Sequence, residues 1–235
     1  MIDNEKLEIF GKHLSMVHAK TVKNFTEFCI LKFPSYFWTL PASTRGCRHG
    51  AGETLIDHIQ GCLWLAERVI DQFSGVWNQR QKDQLLSAVI LHDGWRCEDA
   101  LGQETIFTEE YLKGKDMSLE LLGQPCTSKE HPEAAFRNLL RLSAEFNAKA
   151  VADKSQLIAG KDLSAILNAV RMHFGPWTTG NGGDGKFSLD YPFSSLTIQL
   201  HNIDYMNCLC SQYFTRVKGV GDVSNSEVQK AGPKS

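Results

Sequence analysis

Four histidines and two aspartates recur along this 235-residue chain, each on or at the end of a different apolar helical stretch: His58, the pair His92-Asp93, His131, His173 and Asp204. Imidazole nitrogen and carboxylate oxygen are donors that bind divalent first-row metals. Two ions about 3.5–4 Å apart need roughly this many protein donors if positions are to stay open for water and substrate. A carboxylate next to a histidine at a helix end can reach both ions, and Asp93 is so placed. Any one of these histidines alone reads as a core imidazole bonded to a neighbour. Their recurrence, with a His-Asp pair closing an apolar helix, favours a centre of two divalent ions. The donor set accepts Mn, Fe, Mg, Zn or Ni and does not choose among them.

Helices must carry these residues. Between Glu53 and Phe73, Leu55, His58, Cys62, Leu65 and Val69 fall on one stripe, so His58 faces inward. Residues 79–93 begin polar and turn apolar through Leu85, Leu86, Val89, Ile90 and Leu91, and Gly94 stops the helix just after His92-Asp93. The run Ser128-Lys129-Glu130-His131-Pro132-Glu133 reads as a helix start, since proline is tolerated in a first turn and acids suit the positive end of the dipole. Over 160–174, Leu163, Ile166, Leu167, Val170 and His173 make another stripe, stopped by Gly175-Pro176. From about Ser194 to Val217, Thr197, Leu200, His201, Asp204 and Cys208 share a face.

Elsewhere, the apolar spacing from Glu5 to Lys32 predicts one helix, or two broken near His18-Ala19, and Thr105 to about Gly123 predicts a further helix. No apolar alternation persists long enough for a strand, so the fold class is all-α, a helical bundle. The expected organisation is an N-terminal helical segment, 1–36, packing on a core domain, 37–216, with a polar, disordered tail over 217–235.

Composition narrows the function classes. With 42% hydrophobic and 22% charged residues, the chain can bury a real core and is not a disordered tail. A net charge of -2 provides no bulk field for nucleic acid or an anionic membrane. The seven cysteines are odd in number and lack a C-x-x-C pair, so they read as reduced, buried thiols. The acidic, polar N-terminus is unlike a signal peptide, and no stretch approaches the roughly 18 apolar residues of a membrane span. A cytoplasmic protein with no membrane partner is the expectation; oligomeric state is not legible.

The order His, His-Asp, His, His, Asp on successive helices resembles the HD superfamily of metal-dependent phosphohydrolases. Three local matches carry the resemblance. Leu40-Pro41-Ala42-Ser43, Arg48-His49 and Leu55-Ile56-Asp57-His58 look like the opening segment of HD domains in 3′-to-5′ exoribonucleases and conjugative relaxases. The run from Leu85 to Gly94 looks like the superfamily's signature helix. Val170-Arg171-Met172-His173-Phe174-Gly175 and Leu200-His201-Asn202-Ile203-Asp204 look like its closing pair. The resemblance covers roughly residues 37–210.

It implies an HD-domain helical bundle with His58, His92, Asp93, His131, His173 and Asp204 as ligands of two ions, and hydrolysis of a phosphoester or phosphoanhydride by metal-activated water. The substrate would be a small nucleotide or a single-stranded nucleic-acid end. Where many HD hydrolases place a lysine shortly after the His-Asp pair, this chain has Gly94-Trp95-Arg96. Arg96 reads either as a catalytic phosphate-binding group or as an exposed loop arginine. At the fourth ligand, some relatives show paired histidines where this chain has Met172-His173. The same ligand set also resembles HD-type diiron oxygenases acting on small polar molecules. A non-catalytic nucleotide-binding HD module is the third reading, disfavoured because six polar groups facing a core are costly to keep without use.

Other residues have two readings each. His49, Arg45 and Arg48 precede the first ligand helix and either contact substrate phosphate or form a cationic loop. Trp177 and Lys186 lie in a glycine-rich stretch after His173, which is either a substrate-binding lid or a surface loop. Trp95 is a pocket wall or a packing residue. His201 is expected to support the ligands from behind, and His13 and His18 to fill surface or core.

Overall fold

Every residue from Asp83 to Leu91 is buried, and a helix wrapped on all sides stands at the centre of a bundle. The computed structural model describes residues 2–42, 53–175 and 194–221, with side chains up to 209. The central helix is α5 (Gln79–Leu91), and α3 (Lys20–Ile30), α4 (Leu55–Gln72), α8 (Gly160–Arg171) and α9 (Ser195–Gly221) pack around it. The remaining helices are α1 (Asp3–Glu8), α2 (Gly11–Ser15), α6 (Glu109–Gly114) and α7 (His131–Ala152), with 3-10 turns at Ser35–Trp38 and Leu119–Leu121. Among the described residues there are no strands, only isolated bridges, so the protein is all-α as expected.

Local chemistry sets the ends of the helices that matter. Asn78 and Gln81 form a reciprocal capping box at the start of α5 (3.0 and 3.1 Å), and Thr54 and Asp57 do the same for α4. The α5 sequence enters from solvent through polar residues and ends in the core, which carries His92 and Asp93 inward. Pro132 sits in the first turn of α7, as the sequence predicts, and His131 opens that helix. One continuous core joins Phe10, Leu14, Val22 and Phe25 of the N-terminal segment to Leu85, Val89 and Ile90 of α5 and to Ile166 and Val170 of α8.

Three expectations need correction. The N-terminal stretch is three helices, not one or two. The break at His18-Ala19 is made by the Asp83 carboxylate, which accepts from both backbone amides at 3.0 and 2.8 Å. A second break at Ile9-Phe10 lets Phe10 and Leu14 turn into the core, at Gly11, a poor helix former. The predicted helix over 105–123 is only the short α6 and a 3-10 turn. Its first residues instead run extended: Thr105 and Phe107 donate to the carbonyls of Cys97 and Gln124, and Asp116 has φ 52°, which ends the helical run. This arm closes on its own small cluster of Phe107, Leu112 and Cys126. Finally, α9 continues to Gly221, past the expected boundary at 217. Residues 222–235 lie outside the described residues.

Among the described cysteines, Cys29, Cys62 and Cys97 are free and buried, Cys126 is buried and Cys208 is half-buried. No described helix is long and apolar enough to cross a membrane.

Candidate metal centre

Each expected ligand reaches the centre from a different element. His58 lies in the second turn of α4, and His92 caps α5 with Asp93 directly after it. His131 opens α7, His173 lies in the turn just beyond α8, and Asp204 projects from α9. Three of the rings are oriented by one local device, a hydrogen bond from Nδ1 to the carbonyl three residues earlier. His92 meets Val89 at 2.8 Å, His131 meets Ser128 at 2.7 Å and His173 meets Val170 at 2.6 Å. In a neutral ring this leaves the Nε2 lone pair directed at the centre.

The donor atoms form two groups, His58, Cys62, His92 and Asp204 in one and Asp93, His131 and His173 in the other, each with all ligand atoms within 4.8 Å of one another. Asp93 faces both. Its Oδ2 lies 3.5 Å from His58 Nε2 and 3.4 Å from His92 Nε2, while its Oδ1 lies 3.0 Å from His131 Nε2 and 3.8 Å from His173 Nε2. Asp204 Oδ1 closes the first group at 3.2 Å from His58 Nε2 and 4.0 Å from His92 Nε2. In the second, the Nε2 atoms of His131 and His173 are 3.2 Å apart.

Electrostatics prepare these groups as donors. Burial lowers the His92 pKa, and burial together with the neighbouring His131 and His92 pushes His173 down to about 3. Burial opposes ionisation of Asp93, but Arg96, His92 and His131 outweigh it and hold the carboxyl well below its usual range. Asp204 is likewise lowered, burial being overcome by His58 and His92. The Nε2 lone pairs of His92, His131 and His173 therefore face carboxylates and each other. Buried acceptors in this arrangement suit a cation, and His92 Nε2 and Asp93 Oδ1 have no hydrogen-bond partner. The buried His, Cys and Asp donors could hold metal ions.

Arg96 is not an exposed loop residue. Its side chain is 14% exposed, with Nη1 paired to Asp93 Oδ2 and Nε 3.4 Å from Thr127 Oγ1. Trp95 is a packing residue, set edge-on against Phe33 at 5.3 Å between ring centres. His201 supports His173 from behind, its Nδ1 lying 2.9 Å from the His173 carbonyl oxygen. His13 is buried beside Glu67 at 2.8 Å, and His18 is exposed. Arg45, Arg48, His49, Trp177 and Lys186 lie outside the described residues.

Two contributors escaped the sequence reading. The Asn207 amide nitrogen lies 3.0 Å from His58 Nδ1 and 3.1 Å from the His58 carbonyl oxygen, holding the one ring that lacks the backbone device. Its position three residues after Asp204 was the available signal, since both then share a helix face. Gly61 makes room for it, because a Cβ there would come within 2.1 Å of Asn207 Oδ1. Cys62 was read as a packing thiol, yet its Sγ is 3.7 Å from His58 Nε2. The chain matches no protein-family model, no curated protein and no solved structure.

Proposed function

We propose that this chain is an HD-type metal-dependent phosphohydrolase that cleaves a phosphoester or phosphoanhydride bond of a nucleotide or a nucleic-acid end. The observation that carries the reading is Asp93, which turns one carboxylate oxygen to each of two donor groups. His58, His92 and Asp204 would hold one divalent ion, His131 and His173 the other, and Asp93 both. Such a pair supplies a water acidic enough to attack phosphorus near neutral pH and neutralises charge on the phosphoryl oxygens.

The chain's own residues do the rest. The backbone carbonyls of Val89, Ser128 and Val170 fix the three imidazoles, so no reorganisation is needed at the centre. Arg96 brings a guanidinium to the edge of the cluster, where its remaining N–H groups can take a phosphoryl oxygen. The net charge of -2 favours a small nucleotide over a long polymer, which would need many phosphate contacts.

The test is elemental analysis of protein purified without chelators, joined to phosphate release from a nucleotide panel with added manganese. About two ions per chain and release of phosphate or nucleoside monophosphate are expected. Asp93→Ala is expected to lose the ions and at least about 10³-fold in rate, because both positions share this carboxylate. Two irons with oxygen uptake and no phosphate release would replace the reading with the oxygenase. Full metal content and activity in Asp93→Ala would overturn the bridging role.

A further inference from the structure

The two donor groups differ in one chemical respect: the first contains a sulfur. Cys62 follows His58 by one helical turn on α4, so both side chains leave the same face. Its side chain is fully buried. Its Sγ lies 3.7 Å from His58 Nε2, and it shares the 4.8 Å envelope with His92 and Asp204. Cys208 differs: its Sγ lies 3.9 Å from Asp204 Oδ1 and it is not part of the donor group.

With Asp93 counted, the first ion would have five donors, and bonds of about 2.0–2.1 Å to nitrogen or oxygen and about 2.3 Å to sulfur set neighbouring donors roughly 2.9–3.8 Å apart. The observed separations of 3.2 Å for His58 to Asp204 and 3.7 Å for Cys62 to His58 fall in that range, and 4.0 Å for His92 to Asp204 lies just beyond it. Mere packing would be served by a thiol turned to any apolar neighbour. Here it is turned to the ring nitrogen that the metal centre would use.

We propose that Cys62 is a thiolate ligand of the ion held by His58, His92 and Asp204, so that the two metal positions are chemically unequal. This rests on the metal-centre reading above. Ligation forms the sulfur–metal bond and releases the thiol proton to solvent. The first position is then a borderline-soft site that selects zinc, iron(II) or cobalt(II) over magnesium. The second, with Asp93, His131 and His173 and no sulfur in its group, keeps open coordination for water and substrate.

Cobalt(II) titration of the metal-free full chain tests this by absorption, without reference to activity. In the wild type, the first equivalent is expected to bring a sulfur-to-cobalt charge-transfer band together with the visible d–d bands. Cys62→Ser is expected to keep the d–d bands, lose the charge-transfer band and bind the first ion roughly 10–100-fold more weakly. Cys208→Ser is expected to keep both. Cobalt bound by the wild type without the charge-transfer band, or a band that survives in Cys62→Ser, overturns the thiolate and leaves the metal centre standing. Failure to bind any cobalt overturns both. Should Cys62→Ser not fold, X-ray absorption of the wild-type zinc protein decides: a sulfur shell at about 2.3 Å supports the proposal, and nitrogen and oxygen alone at about 2.0–2.1 Å overturn it.

Discussion

Arg96 shows how much one side chain's geometry matters at this site. Its guanidinium pairs with Asp93 through Nη1 while Nε turns toward Thr127, a spread of donors that an ammonium cannot reproduce. It balances part of the charge of the buried Asp93 and the half-buried Asp204. Replacing it with alanine is expected to lower kcat by about 10²–10³-fold while metal content stays near that of the wild type, because Arg96 is not a metal donor. Arg96→Lys is expected to recover only part of the loss, since it restores charge without the planar fork. Loss of both ions in Arg96→Ala would instead make Arg96 a determinant of the site's assembly. That an arginine would stand near the pair was legible from Gly94-Trp95-Arg96; that it folds back onto Asp93 was not, because a loop's path has no periodicity to read.

Among the elements, α5 decides where the chemistry sits, and its stop must fit tightly. A Cβ on Gly94 would come within 2.4 Å of Phe33 Cε1, and that ring is held by Phe37 and Trp95 at 4.4 and 5.3 Å between ring centres. Gly94→Ala is therefore expected to cost about 1–3 kcal/mol through overpacking, read as a lowered Tm. A second element-level contact joins α2 to α4, where buried His13 meets Glu67. Burial, the larger influence, lowers the His13 pKa against the opposing pull of Glu67. As pH falls through the unfolded value near 6.5, the unfolded chain takes a proton that the folded one refuses, so stability falls with pH and levels off below the depressed folded value. Thermal unfolding of wild type and His13→Phe between pH 8 and pH 5 checks this. The wild type is expected to lose more stability on acidification than the variant; equal losses would remove His13 from the account.

For the whole molecule, the candidate metal centre and the fold are linked. Its candidate donors come from α4, α5, α7, α8 and α9 or the turns at their ends, so an ion there would tie together elements far apart in sequence. Without a cation, the buried Asp93, the half-buried Asp204 and several buried ring nitrogens face one another, opposed chiefly by Arg96. Free ion at 100 times its dissociation constant is expected to stabilise the fold by about 2.7 kcal/mol if only the native state binds it. Scanning fluorimetry of chelator-treated protein with and without manganese or zinc reads this as a rise in Tm. An unchanged Tm across saturating ion concentrations would mean that these donors do not bind the ions tested.

The candidate donor types, their order and the helices that bring them together were legible from the residues. Apolar spacing shows which helix faces turn inward, and a histidine on such a face must end in the core. The same logic failed over 105–123, where apolar residues at helix-like intervals serve an extended arm and a separate cluster. Tertiary structure alone decided which oxygen of Asp93 faces which histidines, that Asn207 holds His58, and that Cys62 aims at the centre and Arg96 folds over it. Periodicity records the distance of a side chain from solvent. It holds no record of which side chains on five separate elements meet, because that depends on how the helices cross.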